Sequence, residues 1–133
     1  MAKILVVDDE KEICLMQKVF FERRGHKVVI VTNPLEAMKT VESEKPQIVL
    51  LDVVMDGMSG LEVLKKIKEF NHKIKVIMVS VVDDAIKKEE ALKLGADAYV
   101  GKPFNTFDLE SVVMEQMEEF FGFRKEADNE PNH

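Results

Sequence analysis

The chain of 133 residues has one cysteine, no tryptophan, one tyrosine and four prolines. A single thiol, Cys14, cannot form an internal disulfide, so an ordinary hydrophobic core must stabilise the fold. No apolar run of about 18 residues occurs, and no basic segment leads into an apolar one. We therefore expect neither a membrane span nor a secretory leader, and these absences favour a cytoplasmic protein.

Clustered positive charge is missing as well. The chain has 19 Lys and Arg against 25 Asp and Glu, which gives a formal net charge of −6. Direct binding to nucleic acid requires concentrated Lys and Arg against the phosphates, so no nucleic-acid partner is expected. The acidic excess remains compatible with solubility, a basic partner or a bound cation.

Five short apolar runs, rich in β-branched residues, have the pattern of strands buried on both faces. An amphipathic segment follows each run, which predicts a doubly wound α/β fold with five parallel strands and five helices. We expect one domain over residues 1–121 and a polar tail over residues 122–133, which lacks periodicity. The predicted strands are Lys3–Val7, Lys27–Val31, Ile48–Leu51, Lys75–Ser80 and Ala98–Val100.

Helix boundaries and helix faces can also be predicted. Asn33 and Ser59 have the pattern of N-caps, whereas Gly25 and Gly95 have the pattern of helix ends. The last helix is expected to run from about Thr106 to Phe121. Apolar residues at helical spacing predict the buried faces of the first and last helices, namely Ile13, Met16 and Phe20, and Leu109, Val113, Met117 and Phe120.

Polar side chains follow four of the five predicted strands. Asp8 and Asp9 follow the first, Asp52 ends the third, Ser80 ends the fourth, and Lys102 comes just after the fifth. Because ligands bind beyond the carboxyl ends of parallel strands, these side chains are expected to converge on one edge of the sheet.

Three neighbouring carboxylates repel one another unless a pKa rises or a cation binds. Oxygen ligands of this kind suit Mg²⁺, and a carboxylate can act as a nucleophile toward phosphorus. Taken singly, Asp8 or Asp9 is more simply explained as a helix cap, and Lys102 as a surface lysine. The coincidence of all of them at one sheet edge favours a phosphoryl-transfer site.

Four segments together resemble the receiver domain of two-component response regulators. The resemblance extends from Lys3 to Phe121 and implies the flavodoxin-like receiver fold with strand order 2-1-3-4-5. The segments are LVVDDE (5–10), LLDVVMDGMSGLEVL (50–64), VIMVS (76–80) and ADAYVGKPF (96–104).

The resemblance implies roles for individual residues at the acidic end of the site. Asp52 would accept the phosphoryl group. Asp9, Asp52 and the backbone carbonyl of Val54 would bind Mg²⁺, with Asp8 assisting through a bound water.

The resemblance also implies a switch. Lys102 would contact the phosphoryl group, and a cis peptide bond between Lys102 and Pro103 would aim that lysine at the site. Ser80 would move onto the phosphoryl group, and the ring of Tyr99 would then turn inward.

The function implied is a signalling switch that catalyses only its own phosphorylation and dephosphorylation. A histidine kinase or a phosphotransfer protein would supply the phosphoryl group. Phosphorylation would change the surface of helix 4, strand 5 and helix 5, to which an unknown downstream protein binds, and the chain would be a monomer or a phosphorylation-dependent dimer.

Several residues depart from the family pattern. Val81, Val82 and Val54 would crowd the site and favour a longer-lived aspartyl phosphate, whereas Asp56 is expected in an exposed loop. Two alternative functions compete with the switch: a phosphatase with an aspartate nucleophile and a receiver-like binding module. The first needs a second acid where Val54 stands, and the second is disfavoured because all principal polar positions are occupied.

The remaining chemically active side chains lie away from the strand ends. The three histidines, His26, His72 and His133, are expected to be surface groups, and Cys14 is expected to be a small core residue.

Overall fold

All five strands pair in parallel and form one sheet in the order β2-β1-β3-β4-β5. The computed structural model describes residues 2–55, 57–80, 85–102 and 106–122. This topology confirms the predicted doubly wound fold, and the predicted strands agree with the observed ones to within one residue. The strands are β1 (Lys3–Val7), β2 (Lys27–Val31), β3 (Ile48–Asp52), β4 (Lys75–Ser80) and β5 (Ala98–Gly101).

The helices cover both faces of the sheet. Helices α1 and α5 pack on one face, and α2, α3 and α4 pack on the other. Among the described helices, none has the length and apolarity needed to cross a bilayer. The helices are α1 (Lys11–Glu22), α2 (Ala37–Glu44), α3 (Gly60–Phe70), α4 (Ala85–Lys93) and α5 (Thr106–Phe121), and a 3-10 turn (Pro34–Glu36) precedes α2.

Helix ends follow the predicted capping chemistry, with one addition. The side chains of Asn33 and Ser59 accept hydrogen bonds from the N–H groups of the residues two positions later. Gly25 and Gly95 have φ values of 89° and 102°, the left-handed conformation expected after a helix. The C-cap of α2, however, is Lys45, whose φ of 50° is unusual for a residue with a side chain.

The buried face of α1 differs from the prediction. Cys14, Gln17 and Phe21 are buried, whereas Met16 is 53% exposed. The apolar pattern predicted the wrong face because a polar residue, Gln17, occupies the core-facing position. The apolar Met16 lies beside it and is exposed. In α5 the prediction holds for Leu109 and Val113, which are fully buried, whereas Met117 and Phe120 are only partly buried and the polar Gln116, next to Met117, is buried.

The expectation that His26 is a surface group is wrong. His26 is 8% exposed, and its Nδ1 accepts a hydrogen bond from the Ala2 N–H at 3.1 Å. Its ring also lies edge-on to Phe21, with the centroids 6.0 Å apart. Burial lowers the pKa of His26, and the positive chain terminus lowers it further. His26 therefore acts as a neutral acceptor at the start of β1.

Candidate functional site

The strand register brings the predicted polar residues to one edge of the sheet. Val7 pairs with Leu51, so Asp8 and Asp52 come next on adjacent strands. On the other side of β3, Asp52 pairs with Val79, the residue before Ser80. Ser80 in turn pairs with Gly101, the residue before Lys102. The carboxyl ends of four neighbouring strands thus present these side chains side by side, as the sequence predicts.

Lys102 lies between the two buried carboxylates. Its Nζ donates to Asp8 Oδ2 at 2.9 Å and to Asp52 Oδ2 at 3.3 Å. The side chain of Lys102 is 7% exposed, so these ion pairs are shielded from solvent. The Lys102 backbone N–H also donates to the Ser80 carbonyl at 2.6 Å, which connects the residue to β4. Lys102 therefore contacts the ends of β3 and β4 and the residue that follows β1.

The charges at the site are unevenly compensated. Burial raises the pKa of Asp52, and the neighbouring charge of Asp8 adds to this, while Lys102 opposes it. Burial alone would lower the pKa of Lys102, but its hydrogen bond to Asp8 and the charges of both carboxylates raise it overall. Two carboxylates share one ammonium group. The positive charge of Lys102 is therefore fully neutralised, whereas part of the negative charge of Asp52 is not.

Short-range hydrogen bonds orient both carboxylates. The Glu10 N–H donates to Asp8 Oδ1 at 2.9 Å, which forms a tight turn into α1. The Val54 N–H donates to Asp52 Oδ1 at 3.2 Å. The Cys14 thiol donates to the Asp8 carbonyl at 3.2 Å, and burial raises the pKa of Cys14 to about 11. Cys14 is thus a protonated core residue, as predicted, and supports the Asp8 turn.

Gly60 allows α3 to begin directly against the end of β3. A Cβ atom at this position would overlap the Asp52 carbonyl oxygen and lie 2.8 Å from both the Asp52 carbonyl carbon and Val53 Cα. The Gly60 N–H donates to the Val53 carbonyl at 2.9 Å. The absence of a side chain at Gly60 therefore fixes how closely α3 approaches the Asp52 backbone.

The donor set fits a divalent cation. Carboxylate oxygens of Asp8, Glu10 and Asp52 lie within 4.8 Å of one another. The only charge that opposes these three within the described part of the site is the Lys102 ammonium, so negative charge is in excess. Hard oxygen ligands with excess negative charge are what Mg²⁺ prefers.

The composition of this group differs in part from the predicted ligands. Glu10 was missed, although its position two residues after Asp8 in a tight turn is a usable signal. Asp9 is exposed, and among the described residues the compact group consists of Asp8, Glu10 and Asp52. The roles of Asp9 and of the Val54 carbonyl as ligands stay predictions.

The two predicted switch residues lie on β4 and β5. Ser80 is fully buried at the end of β4. Tyr99 is partly buried against the core shared with α2, α3 and α4, and the Lys88 ammonium lies 6.0 Å from its ring centroid. Their switching roles stay predictions. Four residues with predicted effects, namely Asp56, Val81, Val82 and Pro103, lie outside the described residues, and so does the predicted cis bond.

Comparison with known sequences identifies relatives. The family model of the response regulator receiver domain matches residues 4–114. The chain is 36% identical over 111 residues to the alkaline phosphatase synthesis transcriptional regulatory protein PhoP of Bacillus subtilis, covering 84% of this chain and 46% of that protein. It is 33% identical over 111 residues to sporulation initiation phosphotransferase F of the same organism, covering 84% of this chain and 90% of that protein. The chain thus spans about half of the first relative and most of the second.

Solved structures of response regulators and their receiver domains also resemble this chain. A CheY-like receiver domain protein from Methanospirillum hungatei superposes with a TM-score of 0.89 at 31% identity, covering 92% of this chain and 98% of that chain. The response regulator TrrA from Thermotoga maritima, in complex with Mg²⁺-BeF, superposes with a TM-score of 0.80 at 33% identity, covering 87% and 99%. With the family model spanning most of its length, this chain belongs to the response regulator receiver domain family.

Proposed function

We propose that the chain is a phosphorylation-dependent signalling switch in which Asp52 accepts a phosphoryl group. The observation that supports this most directly is the buried Asp52 carboxylate at the end of β3, with the Lys102 ammonium 3.3 Å away and Asp8 beside it. A nucleophile, a cation for the transferred oxygens and a group of metal-binding carboxylates therefore lie within one small site.

The proposed donor is a phosphohistidine of a histidine kinase or a phosphotransfer protein. An Asp52 carboxylate oxygen attacks phosphorus, the P–N bond to the donor histidine breaks, and the histidine nitrogen is left to take up a proton. The raised pKa of Asp52 marks its carboxylate as poorly compensated, which favours reaction with an electrophile. Lys102 can follow the developing charge, because its ammonium already bridges Asp8 and Asp52.

We further propose Mg²⁺ as the cofactor, bound by Asp8, Asp9 and Asp52 with the Val54 carbonyl, and with Glu10 available nearby. When bound, the ion would neutralise charge on the phosphoryl oxygens. The complex of the relative TrrA with Mg²⁺-BeF supports this choice of metal. This chain's residues supply the oxygen ligands and orient the Asp52 carboxylate through the Val54 N–H.

Phosphorylation is proposed to change the surface formed by α4, β5 and α5. Ser80 would move toward the phosphoryl group and Tyr99 would turn inward. The weak anchoring of α4 supports a rearrangement there, since Ala91 is the buried residue of its described part and Ile86 is 71% exposed. A region with few buried apolar contacts is the easiest to move.

The proposed output is contact with another protein in the cytoplasm, by a monomer or a phosphorylation-dependent dimer. Receiver domains generally act as switches rather than as enzymes on other substrates. We propose residues 1–121 as the receiver domain and residues 122–133 as a polar tail.

The test is incubation with acetyl phosphate and MgCl₂, followed by intact-mass measurement. We expect a single phosphoryl adduct that hydroxylamine removes and that does not form in the presence of EDTA. Asp52→Asn should abolish the adduct, whereas Asp108→Asn, which changes an exposed carboxylate of α5, should leave it intact. An adduct of equal size in Asp52→Asn would contradict the proposal, and so would repeated turnover of a phosphate ester, which indicates a phosphatase.

A further inference from the structure

A pocket lies under the amino-terminal edge of the sheet, at the opposite end of β3 from Asp52. Its volume is about 350 Å³, near the lower limit for ligand pockets. Two of its residues, Gln47 and Ile74, come directly before β3 and β4. We name it the lower pocket, and its walls include Lys45, Gln47, Phe70, Asn71, Ile74 and Phe120.

The walls of the lower pocket are largely apolar, and one aromatic side chain is half exposed there. Phe70, the last residue of α3, is 49% exposed although it lines the pocket. Phe120 of α5 lines the pocket from the other face of the sheet and is partly buried. Ile74 forms a buried wall. Exposed aromatic rings beside a pocket favour contact with a further apolar side chain.

Hydrogen bonds and an ion pair hold the pocket in shape. Gln47 Oε1 accepts a hydrogen bond from the Lys3 N–H at 2.6 Å, and the Gln47 carbonyl accepts one from the Lys75 N–H at 3.0 Å. The Lys75 ammonium lies 3.7 Å from Glu119 Oε1, which connects the start of β4 to the end of α5. The pocket is therefore preformed, so an occupant can bind with little reordering of its walls.

The end of α5 brings the C-terminal tail close to the lower pocket. Gly122 has a φ of 81°, the left-handed conformation that ends a helix and turns the chain out of it. Phe123 follows, three positions after Phe120, which itself lines the pocket. Three residues of extended chain span about 10 Å. The Phe123 side chain is therefore within reach of the lower pocket.

The first residues of the tail match their surroundings in polarity and charge. Phe123 is the only large apolar residue of the tail. Arg124 and Lys125 follow a helix that contains five acidic side chains and no basic one, and cations are stabilised near a helix C-terminus. Glu126 comes next, and the one charged residue that lines the lower pocket is Lys45, of opposite sign.

We infer that residues 123–126 of this chain bind the lower pocket, with the Phe123 ring against Phe70 and Phe120 and the Glu126 carboxylate paired with Lys45. The bound segment would connect α5, on one face of the sheet, to α2 and α3 on the other. This inference goes beyond the proposed function, because Asp52 lies about 15 Å away at the far end of β3 and takes no part in the contact.

The test is limited digestion of the folded full chain with trypsin, followed by intact-mass measurement. Arg124 and Lys125 are cleavage sites inside the proposed bound segment. Trypsin cuts a released, extended chain, so the cleavage rate reports the fraction of tail that is unbound. We expect cleavage there to be at least about tenfold slower than in a synthetic peptide of residues 119–133.

Variants on both sides of the contact test the pairing. Phe70→Ser and Phe123→Ser should each raise the cleavage rate about tenfold, and the double variant should add little, because one contact cannot be lost twice. Leu35→Ser, at an exposed position beside α2, is the matched control and should change the rate less than about twofold. A peptide with the Phe123→Ser change corrects for its effect on trypsin itself, and thermal melts report whether each variant folds.

The charge pair has its own control. Lys45→Glu should raise the cleavage rate about twofold, since it places like charge opposite Glu126 at an exposed site. Lys39→Glu, at an exposed position of α2 outside the pocket, makes the same change of charge and should leave the rate unchanged. An NMR cross-relaxation signal between the Phe123 ring and an Ile74 methyl group would show the contact directly.

Three outcomes would overturn the inference. The wild-type tail could be cut as fast as the peptide, Phe70→Ser could be cut at the wild-type rate, or the rate could rise on dilution, which would place the tail of another copy in the pocket. Labelling of Asp52 by acetyl phosphate should be the same in all these variants, so failure here is distinct from failure of the Asp52 proposal.

Discussion

Lys102 determines the charge balance of the site at the scale of single residues. Replacement by methionine would leave the buried carboxylates of Asp8 and Asp52 without their shared ammonium group. We expect Lys102→Met to lower the free energy of unfolding by about 3 kcal/mol in metal-free buffer, because an unpaired buried charge is strongly destabilising. Urea denaturation measures this, and MgCl₂ should reduce the loss.

The control for this prediction is Lys93→Met. Lys93 pairs with Glu89 at 3.5 Å, but both side chains are largely exposed. An exposed pair of this kind contributes about 0.5 kcal/mol or less. If the two variants lost the same free energy of unfolding, burial of the Lys102 ion pairs would contribute nothing to stability.

His26 gives a prediction for the pH dependence of stability. Burial holds its pKa below 6.5, so the native state stays neutral where the unfolded chain begins to take up a proton. Stability should therefore fall as the pH drops below about 6.5. His26→Gln retains a side-chain acceptor for the Ala2 N–H but cannot titrate, so we expect a smaller fall between about pH 7.5 and pH 5.5. Urea denaturation at both pH values measures the difference, and His72→Gln, at an exposed position, should behave like the wild type.

The residues of the site were predictable to different extents. Asp8, Asp52, Ser80 and Lys102 were predicted to converge because parallel strands bring their carboxyl ends to one edge. Glu10 was missed because its approach depends on a turn that the Asp8 side chain makes with the Glu10 backbone. His26 was missed because its burial arises from contact with the distant start of β1, which no local pattern encodes.

At the scale of elements, the start of α3 depends on Gly60. A Cβ there would collide with the backbone of Asp52 and Val53, so Gly60→Ala must displace α3. We expect a loss of about 2 kcal/mol in unfolding free energy and slower labelling of Asp52 by acetyl phosphate. Gly101→Ala is the control, because a Cβ there meets nothing within 4 Å. If both variants label at the wild-type rate, the close approach of α3 does not position Asp52.

The end of α2 offers a stabilising substitution. Lys45 adopts a left-handed conformation, with φ 50° and ψ 57°, which glycine accommodates without a Cβ penalty. Lys45→Gly should raise the free energy of unfolding by about 0.5 to 1 kcal/mol, as measured by urea denaturation. Lys45→Ala removes the same side chain but keeps the Cβ, so it should give no such gain.

Strands were predicted more accurately than helix faces. All five strands are short, mostly apolar runs, and the three central strands β1, β3 and β4 are buried on both sides, so the apolar pattern identifies them without knowledge of their neighbours. The edge strands β2 and β5 are only partly buried. The buried face of α1 was predicted with Met16 inward, because residue type alone cannot show that the core accepts the Gln17 amide. Which side chain of α1 faces the core depends on how α1 packs against the sheet and α5. Local periodicity carries no information about that packing.

At the scale of the whole molecule, the acidic charge should couple stability to divalent cations. The formal net charge is −6, and three of the carboxylates form the group at the sheet edge. A cation that binds only the folded state raises the melting temperature by mass action. MgCl₂ should therefore raise the melting temperature more than NaCl of equal ionic strength does. In the Asp52→Asn variant the two salts should differ much less in their effect. Equal effects of the two salts in the wild type would indicate screening alone.

The Lys102 contacts also make the site depend on complete folding of the chain. Lys102 pairs with Asp52 across 50 positions of sequence and with Asp8 across 94. Contacts of such long range form late, because closing large loops costs chain entropy before any interaction compensates for it. A nascent or partly unfolded chain that lacks β5 thus has an Asp52 without its lysine. Asp52 would then accept a phosphoryl group with the help of Lys102 only after β5 has joined the sheet beside β4.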